Sequence, residues 1–255
     1  MTTSLADRVV IVTGAGSGIG RATAQLAALR GAHVIIQDIS EAGAYETVKI
    51  ISDSGGAATA SIGDASSQAD IDATVKLAQQ TGDLRGLVNN AGIMDNFAPA
   101  ARTTDETWER VMRINVDSVF KYTRAVIPHL IENGGGSIVN LASAAGIRGA
   151  AAGAAYTASK HAVVGLTRNT AYVHAGDNIR TNAVAPGGVE TNVMAAIDPS
   201  SYDAAAMEVT GPVHATAVRT AQPDELAQLI VFLLTDAASN VNGAIIPSDG
   251  GWSAA

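Results

Sequence analysis

Val9-Val10-Ile11-Val12-Thr13-Gly14-Ala15-Gly16-Ser17-Gly18-Ile19-Gly20 is the stretch whose reading decides the fold. Residues 9–12 are β-branched without interruption, so the strand they predict has no polar face and is covered on both sides, as in a parallel sheet. A glycine-rich turn follows, then a helix-prone segment from Arg21 to Arg30. In a strand–turn–helix context such a turn brings backbone N–H groups and a helix N-terminus close to a phosphate. The spacing is Gly-x-x-x-Gly-x-Gly from Gly14 through Gly18 to Gly20, with Ile at position 19. A tight turn with no ligand is the other reading of the same residues.

The next strand, His33 to Asp38, ends on a carboxylate eighteen residues after Gly20. A carboxylate there accepts hydrogen bonds from an adenosine ribose and repels a 2′-phosphate, or it only caps the next helix or faces solvent. Neither Ser17 nor Ile39 is basic, so charge favours NAD over NADP. Alternation continues with a helix from Glu41 to Ser54, a strand from Ala57 to Ile62 and Asp64-Ala65, where the Asp meets an adenine or caps the helix of Ser67 to Thr81. A fourth strand, Leu84 to Val88, runs into Asn89-Asn90-Ala91-Gly92. That tetrapeptide is a turn and, at the carboxyl edge of a parallel sheet, also faces a ligand crevice.

A long helix is expected from Thr104 to Ile131, with Asn115 in its middle, where Asn is a poor helix former. It either distorts the helix from a buried position or lies on a solvated face. Ser137 to Leu141 is the fifth strand and delivers Ser143 to the same edge. The helix from Tyr156 to Ala175 presents small residues at Ala158, Ser159, Ala162 and Gly165, permitting close approach of another helix. A sixth strand, Ile179 to Val184, leads to Pro186-Gly187-Gly188-Val189-Glu190-Thr191. Residues 192–220, with Met194 and Met207, carry no clean pattern and read as a flap over a pocket or as a loop without a substrate role. Pro223 to Leu234 is a helix, and Asn242 to Pro247 is the last strand.

Composition bounds the function. The 255 residues carry a net charge of −8 and no cysteine, which excludes a disulfide scaffold, a thiolate metal site and a Cys nucleophile. No basic block marks a nucleic-acid surface. Met1 to Asp7 lacks the charged and apolar regions of a signal peptide, and no apolar run is long enough to span a membrane. The expectation is a soluble cytoplasmic protein of one domain, residues 1–255.

Tyr156 and Lys160 are four residues apart, so on a helix they share a face, and Ser143 lies thirteen residues upstream of the Tyr. An ammonium ~5 Å from a phenol at an effective dielectric of ~20 favours phenolate by roughly 3 kcal/mol, about two pKa units. That moves the phenol toward the range of general acid–base catalysis. An ordinary surface pair has the same spacing.

Taken together, Thr13 through Gly20, Asn89 through Gly92, Asn115, Ser143, Tyr156 with Lys160, and Pro186-Gly187 resemble the short-chain dehydrogenase/reductase family, in its compact single-domain branch, over essentially the whole chain. The resemblance implies an α/β fold, a doubly wound Rossmann sheet of seven parallel strands in the order 3-2-1-4-5-6-7 with helices on both faces. It implies that Tyr156 exchanges the proton at a carbinol oxygen and that Ser143 orients that oxygen. Lys160 would lower the Tyr156 pKa and hold the nicotinamide ribose, and Asn115 would place a relay water. A dinucleotide would contact Gly14, Ser17, Gly18, Ile19, Gly20, Asp38, Ile39, Asp64, Ala65, Asn90, Ala91, Gly92, Pro186, Gly187, Val189 and Thr191, besides Tyr156 and Lys160.

Hydride then passes between a substrate carbon and the nicotinamide; no metal is required, and the family commonly forms homotetramers. Met94, Ala144, Ala145, Ile147, Ala150 and Gly187 would give the pocket small or apolar walls, suiting a small, partly hydrophobic secondary alcohol or its ketone. Hydroxysteroids and diols are alternatives. A 3-oxoacyl-acyl-carrier-protein reductase is a further one, weakened because Ile131-Glu132-Asn133-Gly134 and Thr170-Ala171-Tyr172-Val173 lack the basic residues that dock an acidic carrier. A non-enzymatic dinucleotide sensor would be expected to have lost part of the catalytic set, which is complete here.

Overall fold

The computed structural model describes residues 3–191, 193 and 197–254. In chain order it runs β1 (Val9–Thr13), α1 (Gly18–Leu29), β2 (His33–Asp38), α2 (Glu41–Asp53), β3 (Ala57–Ile62), α3 (Gln68–Thr81) and β4 (Leu84–Asn89). It continues with α4 (Asp105–Met112), α5 (Ser118–Glu132), β5 (Gly136–Leu141), α6 (Ala154–Val173), β6 (Ile179–Pro186), α7 (Ala204–His214), α8 (Pro223–Leu234) and β7 (Ile245–Ser248). The seven strands form one sheet in the order β3-β2-β1-β4-β5-β6-β7, every pair parallel.

The unbroken apolar strands are split by the two-residue pleat into two cores. Val10, Val12, Val34, Ile36, Val139 and Val184 point to one face, against Ala24 and Ala27 of α1 and Leu226 and Ile230 of α8. Val9, Ile11, Ile35, Leu87, Ile138 and Ile179 point to the other, against Ile71 of α3 and Tyr122, Val126 and Leu130 of α5. Each such side chain fully removed from water contributes about 1.5–3 kcal/mol, so both faces must stay covered.

Where β1 and β4 part to opposite halves of the sheet, α1 comes very near the turn that precedes it. A Cβ on Gly20 would lie 2.2 Å from the Gly14 carbonyl oxygen and 2.6 Å from Asn90 Nδ2. Gly14 (φ +63°) and Gly18 (φ +51°) take left-handed conformations that favour glycine. The Thr13 hydroxyl accepts the Asn90 and Ala91 N–H groups, both at 3.0 Å, and the Asn90 amide donates to Thr13 O at 2.9 Å. These bonds knit the two strand ends into one floor.

Three segments differ from the sequence expectation. The helix expected over Thr104–Ile131 is continuous in direction, but it widens into a π turn at Arg113–Asp117 between α4 and α5. The last strand begins at Ile245 rather than Asn242 because Gly243 is left-handed (φ +77°) and side chains stand in for part of the ladder before it. Asn242 Oδ1 accepts the Thr181 N–H at 2.9 Å, and Asn182 Oδ1 accepts that of Ala244 at 3.0 Å. Within 192–220, α7 forms although it contains Gly211 and Pro212, two poor helix residues that hide it from a propensity reading. Asn192 and Met194 lie outside the described residues. Among the described residues no helix is long and apolar enough to cross a membrane.

Candidate active site

Strand β5 ends at Leu141, and the chain turns sharply so that Ser143 caps a short 3-10 turn, Ala144–Gly146, its Oγ accepting the Ala145 N–H at 3.1 Å. The Ser143 hydroxyl lies in the same crevice as the Tyr156 phenol and favours its ionised form. Lys160, one turn along α6, is 4% exposed. Its Nζ lies 5.5 Å from the Tyr156 ring centroid and donates to the Leu141 carbonyl at 2.7 Å.

The electrostatics differ from the two-residue argument. Burial pushes the Tyr156 phenol up to about 12; the Ser143 hydroxyl opposes this, and the charge of Asp95 adds to it. Burial also brings Lys160 down to about 8. In a low-dielectric setting the desolvation of each ion outweighs the attraction between them. At neutral pH the phenol is therefore protonated.

Asp95 went unnoticed in the sequence. It is 2% exposed, and its carboxylate accepts three backbone N–H groups: Phe97 and Gly153 at 3.1 Å and Tyr156 at 2.9 Å. Helix α6 opens on Gly153 with no capping side chain of its own, so Asp95 supplies the cap across space and fixes the turn bearing Tyr156. That missing cap was the signal available in the sequence. Asp95 also steadies Phe97, whose φ of +64° is strained for an aromatic residue.

Asn115 sits at the π turn and is fully buried. Its Oδ1 accepts the Ile93 N–H at 2.8 Å, and its Nδ2 donates to Ile93 O at 2.9 Å and to Ser159 Oγ at 3.1 Å. The buried, helix-distorting reading holds. A Cβ on Gly92 would lie 3.2 Å from Asn115 Oδ1 and 3.5 Å from Lys160 Nζ, so both side chains flank that glycine.

One crevice of about 750 Å³ at the carboxyl ends of the strands gathers most of the predicted residues. Gly14, Ser17, Gly18, Ile19, Asp38, Ile39, Asp64, Ala65, Asn90, Ala91, Gly92, Pro186, Gly187, Val189 and Thr191 line it together with Ser143, Tyr156 and Lys160. Gly20 is not in the lining because it is pressed behind the loop, and Asn115 is behind Gly92. Asp38 accepts the Gly16 N–H at 2.7 Å and the Ser40 N–H at 2.8 Å. Asp64 does not cap α3; Ser67 does, while Asp64 takes the Ser66 N–H at 2.8 Å and Arg113 at 3.0 Å.

The substrate end is more aromatic than expected. Met94, Ala144 and Gly187 line it, whereas Ala145, Ile147 and Ala150 do not; Ala145 is buried behind the turn, and Ile147 packs on Val119 and Val163. Phe97, His214 and Trp252 line it instead. Their rings form a chain, Phe97 to His214 at 6.0 Å and His214 to Trp252 at 5.6 Å, with Tyr202 edge-on to Phe97 at 5.5 Å. These residues come from distant segments and have no common sequence pattern.

The nucleotide end fits a pyrophosphate. The N-cap Ser17 of α1 makes no side-chain capping bond, the first turn holds no acid, and a Cβ on Gly18 would approach Thr191 to 3.1 Å. No group of acids and histidines suited to a metal occurs among the described residues.

A parallel sheet with such a crevice at its switch point defines a Rossmann-type dinucleotide-binding protein. A family model described as enoyl-(acyl carrier protein) reductase matches residues 14–253. A 3β-hydroxysteroid dehydrogenase from Eggerthella lenta is 38% identical over 98% of this chain and 96% of its own length. A levodione reductase from Leifsonia aquatica is 38% identical over 100% and 97%. Among solved structures, a gluconate 5-dehydrogenase from Beutenbergia cavernae, described as NAD(P)-dependent and bound to NADP, has a TM-score of 0.87 at 40% identity, covering 99% of both chains. A short-chain dehydrogenase from Mycobacterium paratuberculosis bound to NAD has a TM-score of 0.91 at 32% identity, covering 99% of this chain and 100% of that one. The chain belongs to the short-chain dehydrogenase/reductase family, whose members here are oxidoreductases acting on alcohols and ketones.

The Asp95 carboxylate raises the Tyr156 pKa, so Asp95→Asn is expected to move the pH–rate limb of that phenol to lower pH, by about half a unit to one unit. The variant, still folded by circular dichroism, should also melt at a lower temperature. A limb that stays in place would deny Asp95 this influence.

Proposed function

We propose that this protein is an NAD-dependent oxidoreductase that interconverts a small, largely apolar secondary alcohol and its ketone. The observation that carries the proposal is the gathering of Ser143, Tyr156 and Lys160, its Nζ 5.5 Å from the Tyr156 ring centroid, in one crevice with Phe97 and Trp252. Ser143 holds the substrate oxygen, and Tyr156, protonated at neutral pH, gives its proton to a ketone oxygen or takes one back from the alcohol. Bound NAD supplies the carbon that exchanges hydride with the substrate carbon. Lys160, with a pKa near 8, accepts and releases protons in the working range and passes them to and from the phenol. Asn115, flanking Gly92 beside it, keeps one acceptor lone pair for a relay water. Tyr156 and Lys160 also hold the nicotinamide ribose, and Val189 and Thr191 its carboxamide.

Preference for NAD rests on local charge. The Asp38 carboxylate stands at the adenosine end, Ile39 beside it is exposed, and the nearest cation on α1, Arg21, is engaged by Glu46 at 2.6 Å and Thr47 at 3.0 Å. A 2′-phosphate would meet an anion without a countercharge. The gluconate 5-dehydrogenase is described with NADP and the mycobacterial enzyme with NAD; the Asp38 carboxylate supports NAD in this chain. The aromatic wall matches relatives named for levodione and hydroxysteroids better than one named for gluconate.

The chain is proposed to act as one dinucleotide-binding domain in which 192–220 closes the substrate end. Arg102 anchors that segment through Asp203 at 2.5 and 2.8 Å. A homotetramer in the cytoplasm completes the proposal, with the exposed Trp108, Phe120 and Tyr172 and the open Gly165 on the contact faces.

Against a panel of chiral alcohols, diols, sterols and acyl thioesters, Tyr156→Phe should reduce kcat by about 10²–10⁴ while NADH still binds; retained turnover would refute the role of the phenol. Asp38→Ala should improve kcat/KM for NADP and shift the cofactor ratio by about tenfold or more. Equal use of both cofactors by the unaltered protein would contradict the repulsion. Sedimentation at micromolar concentration should give a tetramer, and a lone monomer would rule the assembly out.

A further inference from the structure

At the opposite, amino-terminal edge of the sheet, a second cleft of about 320 Å³ opens between the starts of β4, β5 and β6 and the turn after α8. Three guanidinium groups line it: Arg8 just before β1, Arg85 on β4 and Arg180 on β6. Asp236 is the one acid in the described lining. This concentration of positive charge stands out in a chain whose net charge is −8.

The structural duties of these groups do not use up the charge. Arg8 donates to Asp236 at 2.7 Å. Arg180 donates to the Thr235 carbonyl at 3.0 Å and to that of Val241 at 3.3 Å, tying the end of α8 to the sheet. Arg85 donates to the Asn133 carbonyl at 2.7 Å, while its buried Nε–H has no partner. Arg85 and Arg180 hydrogen-bond neutral carbonyls while sharing the Asp236 charge with Arg8, so three guanidiniums face one acid and the cleft carries a surplus of two positive charges. A buried N–H left unpaired costs about 1–3 kcal/mol, and like charges in a half-buried cleft repel. A dianion with several acceptor oxygens would relieve the repulsion by pairing with the outer guanidinium N–H groups. Guanidinium forks match tetrahedral oxyanions, which offer several coplanar lone pairs.

We propose that this cleft is a binding site for a phosphate-type dianion, separate from the crevice at the carboxyl edge. Arg85, Arg8 and Arg180 would hold its oxygens, and Asp236 would limit its affinity by competing for Arg8. The volume admits inorganic phosphate with water, or the phosphoryl end of a phosphomonoester with part of its organic body.

The test is calorimetric titration of the full-length protein with inorganic phosphate and with glycerol 3-phosphate. Saturating NADH fills the glycine loop, and chloride at matched ionic strength serves as control. Saturable binding of one phosphate per chain is expected. Arg85→Gln should weaken it by about tenfold or more, and Asp236→Asn should tighten it by removing the internal competitor. NADH affinity should be unchanged in both. Tighter binding of glycerol 3-phosphate than of phosphate would identify a phosphomonoester as the occupant, and equal or weaker binding would identify the free ion. Absence of saturable binding, or binding indifferent to both substitutions, overturns the proposal. Should Arg85→Gln fail to fold, Asp236→Asn decides through the sign of its effect: tightening supports the site, and no change or weakening refutes it.

Discussion

An atom added to Gly20 would land 2.2 Å from the Gly14 carbonyl oxygen, and the site is built around that proximity. With no side chain between them, α1 presses directly on the turn after β1, and its free N–H groups reach the crevice. The Asn90 amide then fits between turn and helix, bonding to Thr13 O at 2.9 Å and Gly14 O at 3.1 Å. Through Asn90 the end of β4 is fixed to the end of β1, so the two halves of the sheet share one floor at the point where they diverge. A methyl group at position 20 would force these backbones apart, with overpacking alone costing about 1–3 kcal/mol. The floor would move with them.

Features governed by short-range pattern were legible in the sequence. Continuous β-branched runs announced strands covered on both faces, and glycine spacing after β1 announced the turn. Asn115 in a helical stretch left a distortion as one of two readings, and the π turn at Arg113–Asp117 is that distortion. What stayed hidden depends on partners far along the chain. Asp95 caps a helix that begins 59 residues later at Ala154, a spacing that no local pattern encodes. The aromatic wall joins Phe97, His214 and Trp252 from three segments, and α7 forms in spite of its own glycine and proline. There tertiary packing overrides propensity.

The titration of Tyr156 shows the same limit in energetic form. From the spacing of Tyr156 and Lys160 alone, the ammonium should make the phenol acidic. Folding buries both, and burial penalises each ion before their mutual attraction can act. The phenol rises to about 12, and the amine falls to about 8. Lys160 is almost wholly buried, and its ammonium donates to the Leu141 carbonyl. A shift of that size from 10.5 corresponds to on the order of 3 kcal/mol of stability forgone below pH 8. Because the folded pKa lies below the unfolded one, that deficit is full below about pH 8 and is recovered as pH rises toward 10.5. Methionine at this position would remove that deficit, so stability alone does not account for the amine.

The doubly wound topology also sorts charge between the two edges of the sheet. In a βαβ unit each helix runs antiparallel to its strands, so helix N-termini gather where strands end and helix C-termini where strands begin. The carboxyl edge thus presents donors, and α1 leaves its own uncapped by any side chain. The amino edge presents carbonyls, such as that of Thr235 at the end of α8, and there cations are favoured: Arg180 donates to it directly. One helix end calls for one cation. Arg8 and Arg85 exceed that requirement, and only Arg8 finds a carboxylate, in Asp236. Helix polarity explains why this edge is basic, while the guanidinium of Arg85, which bonds only the neutral Asn133 carbonyl, exceeds what the helix end calls for.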